Sequence, residues 1–124
     1  MQDASKFAGF RVLGVEDEPL IAMLIEDFLS ELGCIVVGIA GTLALGLKMA
    51  CDSELTIDGA MLDVNLGGEQ VFPIADALRG RHIPFLFATG YGAQGLAPRY
   101  AGYPVIAKPF SLEPLKAIAT STWM

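Results

Sequence analysis

Residues 11–19 have the sequence RVLGVEDEP, an apolar run that stops abruptly at three acidic residues and a proline. The run predicts a short buried strand, and Pro19 is well placed to open a helix. Gly33 stands where a helix-ending glycine belongs. Between them, six apolar residues recur at three- and four-residue steps and predict an amphipathic helix that packs on a core: Leu20, Met23, Leu24, Phe28, Leu29 and Leu32.

The alternation of strand and helix continues along the chain. Apolar runs predict strands at 34–39, 59–62, 84–88 and 105–107, and helices are expected at 42–50, at 72–78 and after 111. Thr42 and Ser111 have the side chains of helix-capping residues. Such units favour a parallel sheet covered on both faces. Five strands favour the α/β, doubly wound, flavodoxin-like class with strand order 2-1-3-4-5, which binds ligands outside the carboxyl ends of its strands.

Glycine and proline mark two segments as irregular. Residues 65–69 are predicted to form a glycine loop. The segment after the fourth strand is interrupted six times, so we expect the fourth helix to be reduced or missing. The interrupting residues are Gly90, Gly92, Gly95, Pro98, Gly102 and Pro104.

The composition limits the classes of function. With 124 residues, 53% of them apolar, we expect one compact domain, 1–124, with a polar lead-in at about 1–9. The net charge of −6 disfavours binding to nucleic acid or to an anionic membrane. No apolar run approaches about 18 residues and no signal peptide is evident, so we expect a cytoplasmic protein. Cys34 and Cys51 are expected to be reduced core thiols, and His82 a surface residue.

Chemically active side chains follow the predicted strands. The first strand ends in Glu16 and Asp17, the third in Asp63, the fourth in Thr89 and the fifth in Lys108. Taken singly, each has an ordinary structural explanation, such as an acid that begins a helix or a solvated amine. Three carboxylates at one edge need a cation to stay ionised, and Mg²⁺ is the natural candidate. Together with a hydroxyl and an ammonium, they form a site for a carboxylate nucleophile that attacks phosphorus.

Four segments carry a resemblance to a known family. VEDEP at 15–19, MLDVNL at 61–66, ATG at 88–90 and KPF at 108–110 resemble the receiver domains of two-component response regulators. The resemblance spans nearly the whole chain. Within that family, PFLFATGYG at 84–92 resembles the signature of the "FATGUY" subgroup, which consists of single-domain regulators of alphaproteobacteria.

The resemblance implies a role for each site residue. Asp63 would accept phosphate from the phosphohistidine of a sensor histidine kinase or a histidine phosphotransferase. Mg²⁺ would be bound by Asp17, Asp63 and the backbone carbonyl of Asn65, with Glu16 acting largely through water. Thr89 would bond a phosphoryl oxygen, and Lys108 would pair with the phosphate. The Lys108–Pro109 peptide bond is expected to be cis, which would aim the lysine into the cleft. The output would be a switched surface that a downstream regulatory protein reads, a relay of the phosphate to another protein, or a role as a phosphate sink.

Two departures from the family pattern bear on this mechanism. Val105 stands where receivers place an aromatic switch residue, so Tyr91, flanked by glycines, is the candidate substitute. The reduced fourth helix must also reshape any surface normally built on it. Two other functions remain open, namely a small Mg²⁺-dependent phosphohydrolase with an aspartyl nucleophile and an interaction module that works without phosphorylation. Asn65, where such hydrolases commonly have a second acid, disfavours the hydrolase.

Overall fold

The computed structural model describes residues 6–90 and 95–124 and contains a five-stranded parallel sheet. Its strands are β1 (Arg11–Val15), β2 (Ile35–Ala40), β3 (Gly59–Asp63), β6 (Phe85–Thr89) and β7 (Val105–Ala107). They lie in the order β2-β1-β3-β6-β7. Two further short strands, β4 (Asn65–Leu66) and β5 (Glu69–Gln70), pair with each other as an antiparallel hairpin. The order of the five parallel strands confirms the predicted flavodoxin-like class.

Four α-helices cover the two faces of the sheet in the described part of the chain. They are α1 (Pro19–Glu31), α2 (Leu43–Ala50), α3 (Phe72–Gly80) and α4 (Leu112–Trp123). Helices α2 and α3 pack on one face, where Ile74 and Leu78 are fully buried. Helices α1 and α4 pack on the other face, where Leu29 and Leu115 are fully buried. Each face of the sheet therefore has its own apolar core, as expected for a parallel sheet.

The stripe of α1 that faces the core differs from the predicted one in the first two turns. Leu29 and Leu32 are buried as predicted, but Ile25 lies with them in place of Leu24. Leu20, Met23 and Leu24 are exposed by 76%, 59% and 44%. Because Ile21 and Ile25 also recur at a four-residue step, the helix has two apolar stripes, and the sheet covers only one of them.

The ends of α1 and α2 follow the sequence prediction. Pro19 occupies the first turn of α1. Gly33 follows the helix with a positive φ of 99°, and the amides of Gly33 and Cys34 donate to the carbonyls of Ser30 and Leu29. This pair of bonds is the glycine-terminated Schellman motif. Thr42 caps α2, since its hydroxyl accepts a hydrogen bond from the amide of Leu45 at 3.1 Å.

Between β6 and β7, the part of the connection that the structure describes contains the short 3-10 helix Pro98–Tyr100 and no α-helix. The fourth helix expected in this class is therefore absent from residues 95–104. The buried ring of Tyr100 fills the space beside β6, where it stacks on Phe72 and meets Phe87 edge-on at 5.4 Å. The following strand, β7, has only three residues and lies between Pro104 and Pro109.

Several smaller predictions need correction. The second strand begins one residue later than predicted, and the fourth is displaced by one residue to include Thr89. Residues 65–69 form part of a hairpin instead of a loop, because Gly67 and Gly68 both adopt positive φ and support a two-residue turn. Ser111 precedes α4, but its side chain makes no capping bond. Cys51 is exposed at the end of α2, where the helix face has turned to solvent.

The predictions for Cys34 and His82 are confirmed. Cys34 is a buried free thiol, and burial raises its pKa to about 11. Phe7 is fully buried, and Phe10 stacks on Trp123 at 5.4 Å. His82 is exposed. Among the described residues, no helix is both long and apolar enough to cross a bilayer.

Candidate phosphoacceptor site

The register of the parallel strands brings the predicted site residues to one edge of the sheet. Val15 pairs with Leu62, so Glu16 and Asp63 are the next residues of neighbouring strands. Asp63 pairs with Ala88, and Thr89 pairs with Ala107, which places Thr89 and Lys108 at the same edge. The edge is thus assembled by strand pairing from four distant segments of the chain.

Three carboxylates meet at this edge. One carboxylate oxygen from each of Glu16, Asp17 and Asp63 lies within 4.8 Å of the other two. Glu16 and Asp63 are 2% and 6% exposed, which is unusual for acidic residues. The second oxygen of Glu16, Oε2, accepts the backbone amide of Glu18 at 3.1 Å. The side chain of Glu16 is therefore fixed by the turn that begins α1.

Lys108 is the cation of the site. Its Nζ lies 3.1 Å from Glu16 Oε1 and 3.3 Å from Asp63 Oδ1. Glu16 Oε1 has no other partner among the described residues. The Lys108–Pro109 peptide bond is cis. One ammonium therefore forms ion pairs with two buried carboxylates, and the carboxylate of Asp17 lies beside them.

The charges of the site shift two pKa values. Burial first, and then the negative charge of Glu16, raise the pKa of Asp63 from its ordinary value of 3.8 to about 7. The ammonium of Lys108 acts in the opposite direction and does not cancel these effects. Burial lowers the pKa of Lys108, but the hydrogen bond to Glu16 and the charge of Asp63 outweigh it, so the net shift is upward. At pH 7, Lys108 is thus charged, whereas Asp63 is near the midpoint of its titration.

An open cavity of about 670 Å³ gives access to the Asp63 carboxylate. Of the predicted site residues, Asp17, Asp63, Asn65, Thr89 and Lys108 line it. Glu16 does not line it and contacts the site from the buried side through Lys108. Thr89 is 2% exposed. Tyr91, the candidate switch residue, lies outside the described residues.

The hairpin β4–β5 forms a wall of the cavity that the sequence analysis missed. Gly67 and Gly68 line the cavity, and a Cβ atom on Gly67 would lie 3.7 Å from Asp17 Oδ2. Asn65 closes the turn, because its side-chain oxygen accepts the amide of Gly68 at 2.8 Å. The signal was present in the sequence, since two adjacent glycines between short polar–apolar segments are typical of a hairpin turn.

The carboxylates suit a small divalent cation. Three side chains supply hard oxygen ligands, which match the preference of Mg²⁺ for carboxylates and carbonyls. One of these oxygens, Glu16 Oε1, has no partner except Lys108 among the described residues. A dication would also favour the ionised form of Asp63 over the neutral form that burial favours. The residues present therefore fit the metal that the sequence predicts.

The strand order and the acidic edge define a doubly wound α/β protein, a class whose ligand sites lie at the carboxyl ends of the strands. Comparison with known proteins identifies the family. SdrG from Sphingomonas melonis Fr1 is 44% identical, with a TM-score of 0.80 over 91% of this chain and 95% of SdrG. The BeF3-activated conformation of SdrG, described for Pseudomonas melonis Fr1, is 45% identical, with a TM-score of 0.74 over 92% of this chain and 97% of that one. The chain belongs to the response regulator receiver domains of two-component systems.

A longer relative matches the same region. The phyllosphere-induced regulator PhyR of Methylorubrum extorquens is 34% identical over 111 residues, which are 86% of this chain and 41% of PhyR. The chain therefore spans less than half the length of this curated relative. No family model matches the chain.

Proposed function

We propose that this protein is a phosphorylation switch in which Asp63 accepts a phosphoryl group from a histidine kinase or a histidine phosphotransferase. An oxygen of the Asp63 carboxylate attacks the phosphorus of the phosphohistidine, the P–N bond breaks, and the imidazole leaves. The product is an acyl phosphate on Asp63. The role is that of a signalling protein, in agreement with the response regulators to which the chain is related.

One observation carries this proposal, namely the contact of Lys108 Nζ with Asp63 Oδ1 at 3.3 Å at an open cavity with two further carboxylates. A lysine in this position stabilises negative charge on the phosphoryl oxygens during transfer and on the phosphate afterwards. Asp17, Asp63 and the carbonyl of Asn65, with Glu16 acting through water, would hold Mg²⁺, whose charge would offset that of the phosphoryl group.

Thr89 would convert the new charge into a change of conformation. It is the last residue of β6 and lines the same cavity as Asp63. A hydrogen bond from its hydroxyl to a phosphoryl oxygen would pull on the segment that follows β6, which contains Tyr91. Because Val105 occupies the usual aromatic position, we assign the switch to Thr89 and Tyr91.

The test uses beryllofluoride, which mimics an acyl phosphate. Amide spectra of the wild type and of Asp63→Asn are recorded with Mg²⁺, before and after its addition. We expect large changes near Thr89, Tyr91 and Lys108 in the wild type only, because a carboxylate oxygen must bind the beryllium. Asp58→Asn, which changes an acid at the opposite end of β3, is the matched control and should respond as the wild type does. An equal response of Asp63→Asn would disprove the proposal.

The exposed stripe of α1 is the surface that we assign to the phosphodonor. Leu20, Met23 and Leu24 form it, and the neighbouring Ile21 lines the cavity of Asp63. A protein that brings a phosphohistidine into this cavity must cover the start of α1. Burial of these three side chains would stabilise the complex by on the order of 1–3 kcal/mol.

This assignment is tested by comparing two phosphodonors. In the double variant Leu20→Ser, Met23→Ser, we expect phosphotransfer from a phosphohistidine protein to slow by at least about 10-fold. Phosphorylation by acetyl phosphate should be unchanged, because the cavity is intact. Leu45→Ser, at a residue of α2 that is also 44% exposed, is the control. Equal loss with both donors would place the defect in the site instead of in docking.

A further inference from the structure

A second cavity lies at the opposite edge of the sheet from Asp63. Its volume is about 550 Å³, within the range of small-molecule sites. It lies where β6 begins and just before β7, so it shares no residue with the phosphoacceptor cavity. The side chains that matter here are those of Arg79, His82, Pro84, Tyr103 and Pro104.

The charge of this cavity is opposite to that of the whole protein. The chain has a net charge of −6, yet no acidic residue lines the cavity, and Arg79 and His82 do. Among the described residues, Arg79 has no carboxylate within ion-pair distance and lies over the ring of Tyr100, with 5.0 Å from its Cζ to the ring centre. The charge of Arg79 acts on Asp76 from a distance, but Asp76 is already paired with Arg99. The guanidinium is therefore able to receive an anion.

The backbone holds His82 in a conformation that favours glycine. Its φ is +60°, and it is the one non-glycine residue with a positive φ in the described ranges. It occupies the position after α3 where glycine normally ends a helix, because the amides of His82 and Ile83 donate to the carbonyls of Arg79 and Leu78. Residues held in such sparsely populated backbone conformations cluster at ligand-binding and active sites. In any protonation state, an imidazole N–H can donate to an anion.

The remaining lining residues are apolar or aromatic, with the exception of Thr122. Pro84 and Pro104 line the cavity and have no backbone N–H, and Tyr103 is held by stacking on Phe85 at 5.3 Å with an angle of 17°. Such walls suit a planar ring and offer few polar contacts. A ligand for this cavity thus combines a flat apolar body with one anionic group.

We propose that this cavity is a binding site for a small aromatic carboxylate, with the carboxylate on Arg79 and His82 and the ring between Tyr103 and the two prolines. The site is independent of Asp63 and gives the protein a place for a second ligand.

The test titrates the 124-residue chain, labelled with ¹⁵N, with benzoate. We expect saturable amide shifts confined to residues 79–85 and 103–105. Benzyl alcohol, which lacks the charge, and inorganic phosphate, which lacks the ring, should each bind at least about 5-fold more weakly. Shifts that do not saturate or that spread over the surface, or equal binding of all three probes, would overturn the proposal.

The variant His82→Gly separates binding from folding. Glycine relieves the strained backbone, so the melting temperature should rise by about 2–5 °C. At the same time, the dissociation constant for benzoate should increase at least about 3-fold, because a donor is lost. Arg79→Lys, which keeps the charge but not the fork of donors, should also weaken binding. Benzoate affinity equal to that of the wild type in both variants would overturn the site.

Discussion

Two charged clusters in this protein satisfy their charges in opposite ways. At the phosphoacceptor edge, one ammonium, that of Lys108, contacts two carboxylates, and Asp17 lies beside them. On the surface of α3, one carboxylate, that of Asp76, accepts two bonds from Arg99, at 2.8 and 3.0 Å, and one from the hydroxyl of Tyr100. The first cluster is buried and has excess negative charge, whereas the charge of Asp76 is balanced by that of Arg99 and further stabilised by the hydroxyl of Tyr100.

The difference shows up in the pKa values. Burial raises the pKa of Asp63 to about 7, whereas the hydrogen bonds from Arg99 lower the pKa of Asp76. The buried cluster is thus less stable than it would be with a further cation, and this prepares it to bind one. The exposed cluster is complete and anchors the connection between β6 and β7 to α3. Substitutions should therefore change ligand binding at the first cluster and stability at the second.

The largest effect is expected from Lys108→Ala. Removal of the only ammonium leaves the transferred phosphoryl group without its cationic partner, so phosphorylation of Asp63 by acetyl phosphate should slow by about 100-fold. Mg²⁺ should bind more tightly, because a competing positive charge is gone. Phosphorylation kinetics and a Mg²⁺ titration measure the two effects. Lys48→Ala, at an exposed lysine of α2, should change neither. Weaker Mg²⁺ binding in Lys108→Ala would contradict this account of the site.

A pH series without metal should show the cost of charging Asp63. The pKa of this group is higher in the folded protein than the ordinary 3.8, so the folded state binds more protons between pH 3.8 and about 7. The stability that protonated Asp63 contributes to the folded state is therefore lost as the pH rises through about 7. Asp63→Asn, which cannot ionise, should be more stable than the wild type at pH 8, on the order of 2–4 kcal/mol.

The difference between Asp63→Asn and the wild type should shrink as the pH falls to 5. Urea unfolding at both pH values measures it. Addition of Mg²⁺ at pH 8 should stabilise the wild type more than the variant. An advantage of the variant that does not depend on pH would show that Asp63 is not the group responsible.

At the exposed cluster, Tyr100→Phe tests the hydroxyl alone. The ring keeps its contacts with Phe72 and Phe87, but a hydrogen bond to a charged acceptor is lost, so the free energy of unfolding should fall by about 1.5 kcal/mol. Phosphorylation by acetyl phosphate should not change. Tyr103→Phe is the control, since that hydroxyl has no partner among the described residues, and it should be nearly neutral. If the free energy of unfolding fell by a similar amount in both variants, the loss would be due to packing and not to the hydrogen bond with Asp76.

The smallest effect is expected from Arg99→Lys. The side chains of Arg99 and Asp76 are 47% and 44% exposed, so water and salt screen the pair. Loss of the two-point contact should lower the melting temperature only slightly, and the loss should diminish at high salt. Thermal unfolding at low and high ionic strength measures this. A loss as large as that of Tyr100→Phe would show that the pair is not screened.

The sequence predicted the fold well where each element carries its own signal. The run before Glu16 and the β-branched residues after Cys34 predict strands because both faces of a parallel sheet are buried. The exposed half of α1 could not be predicted, because α1 has two apolar stripes and tertiary packing decides which one is covered. Tyr100 was also missed, since it fills a space that arises only when no helix follows β6.

The candidate site was predictable because the class determines where it lies. Once the five strands are assigned, Asp17, Asp63, Thr89 and Lys108 must share an edge. The pairing of Lys108 with Glu16, at 3.1 Å, was not predictable, because it depends on side-chain conformation and on burial. The hairpin that walls the cavity was missed because its two strands have only two residues each.

The shortness of β7 has a consequence for the protein in a crowded cell. It is the edge strand next to the segment that we expect to move, and an exposed edge invites strands of other molecules to pair with it. Pro104 and Pro109 have no N–H to donate, so an incoming strand finds only three residues to pair with. Pairing of β7 with strands of other molecules is therefore limited, and the proposed change of shape beside this edge would not promote intermolecular sheets.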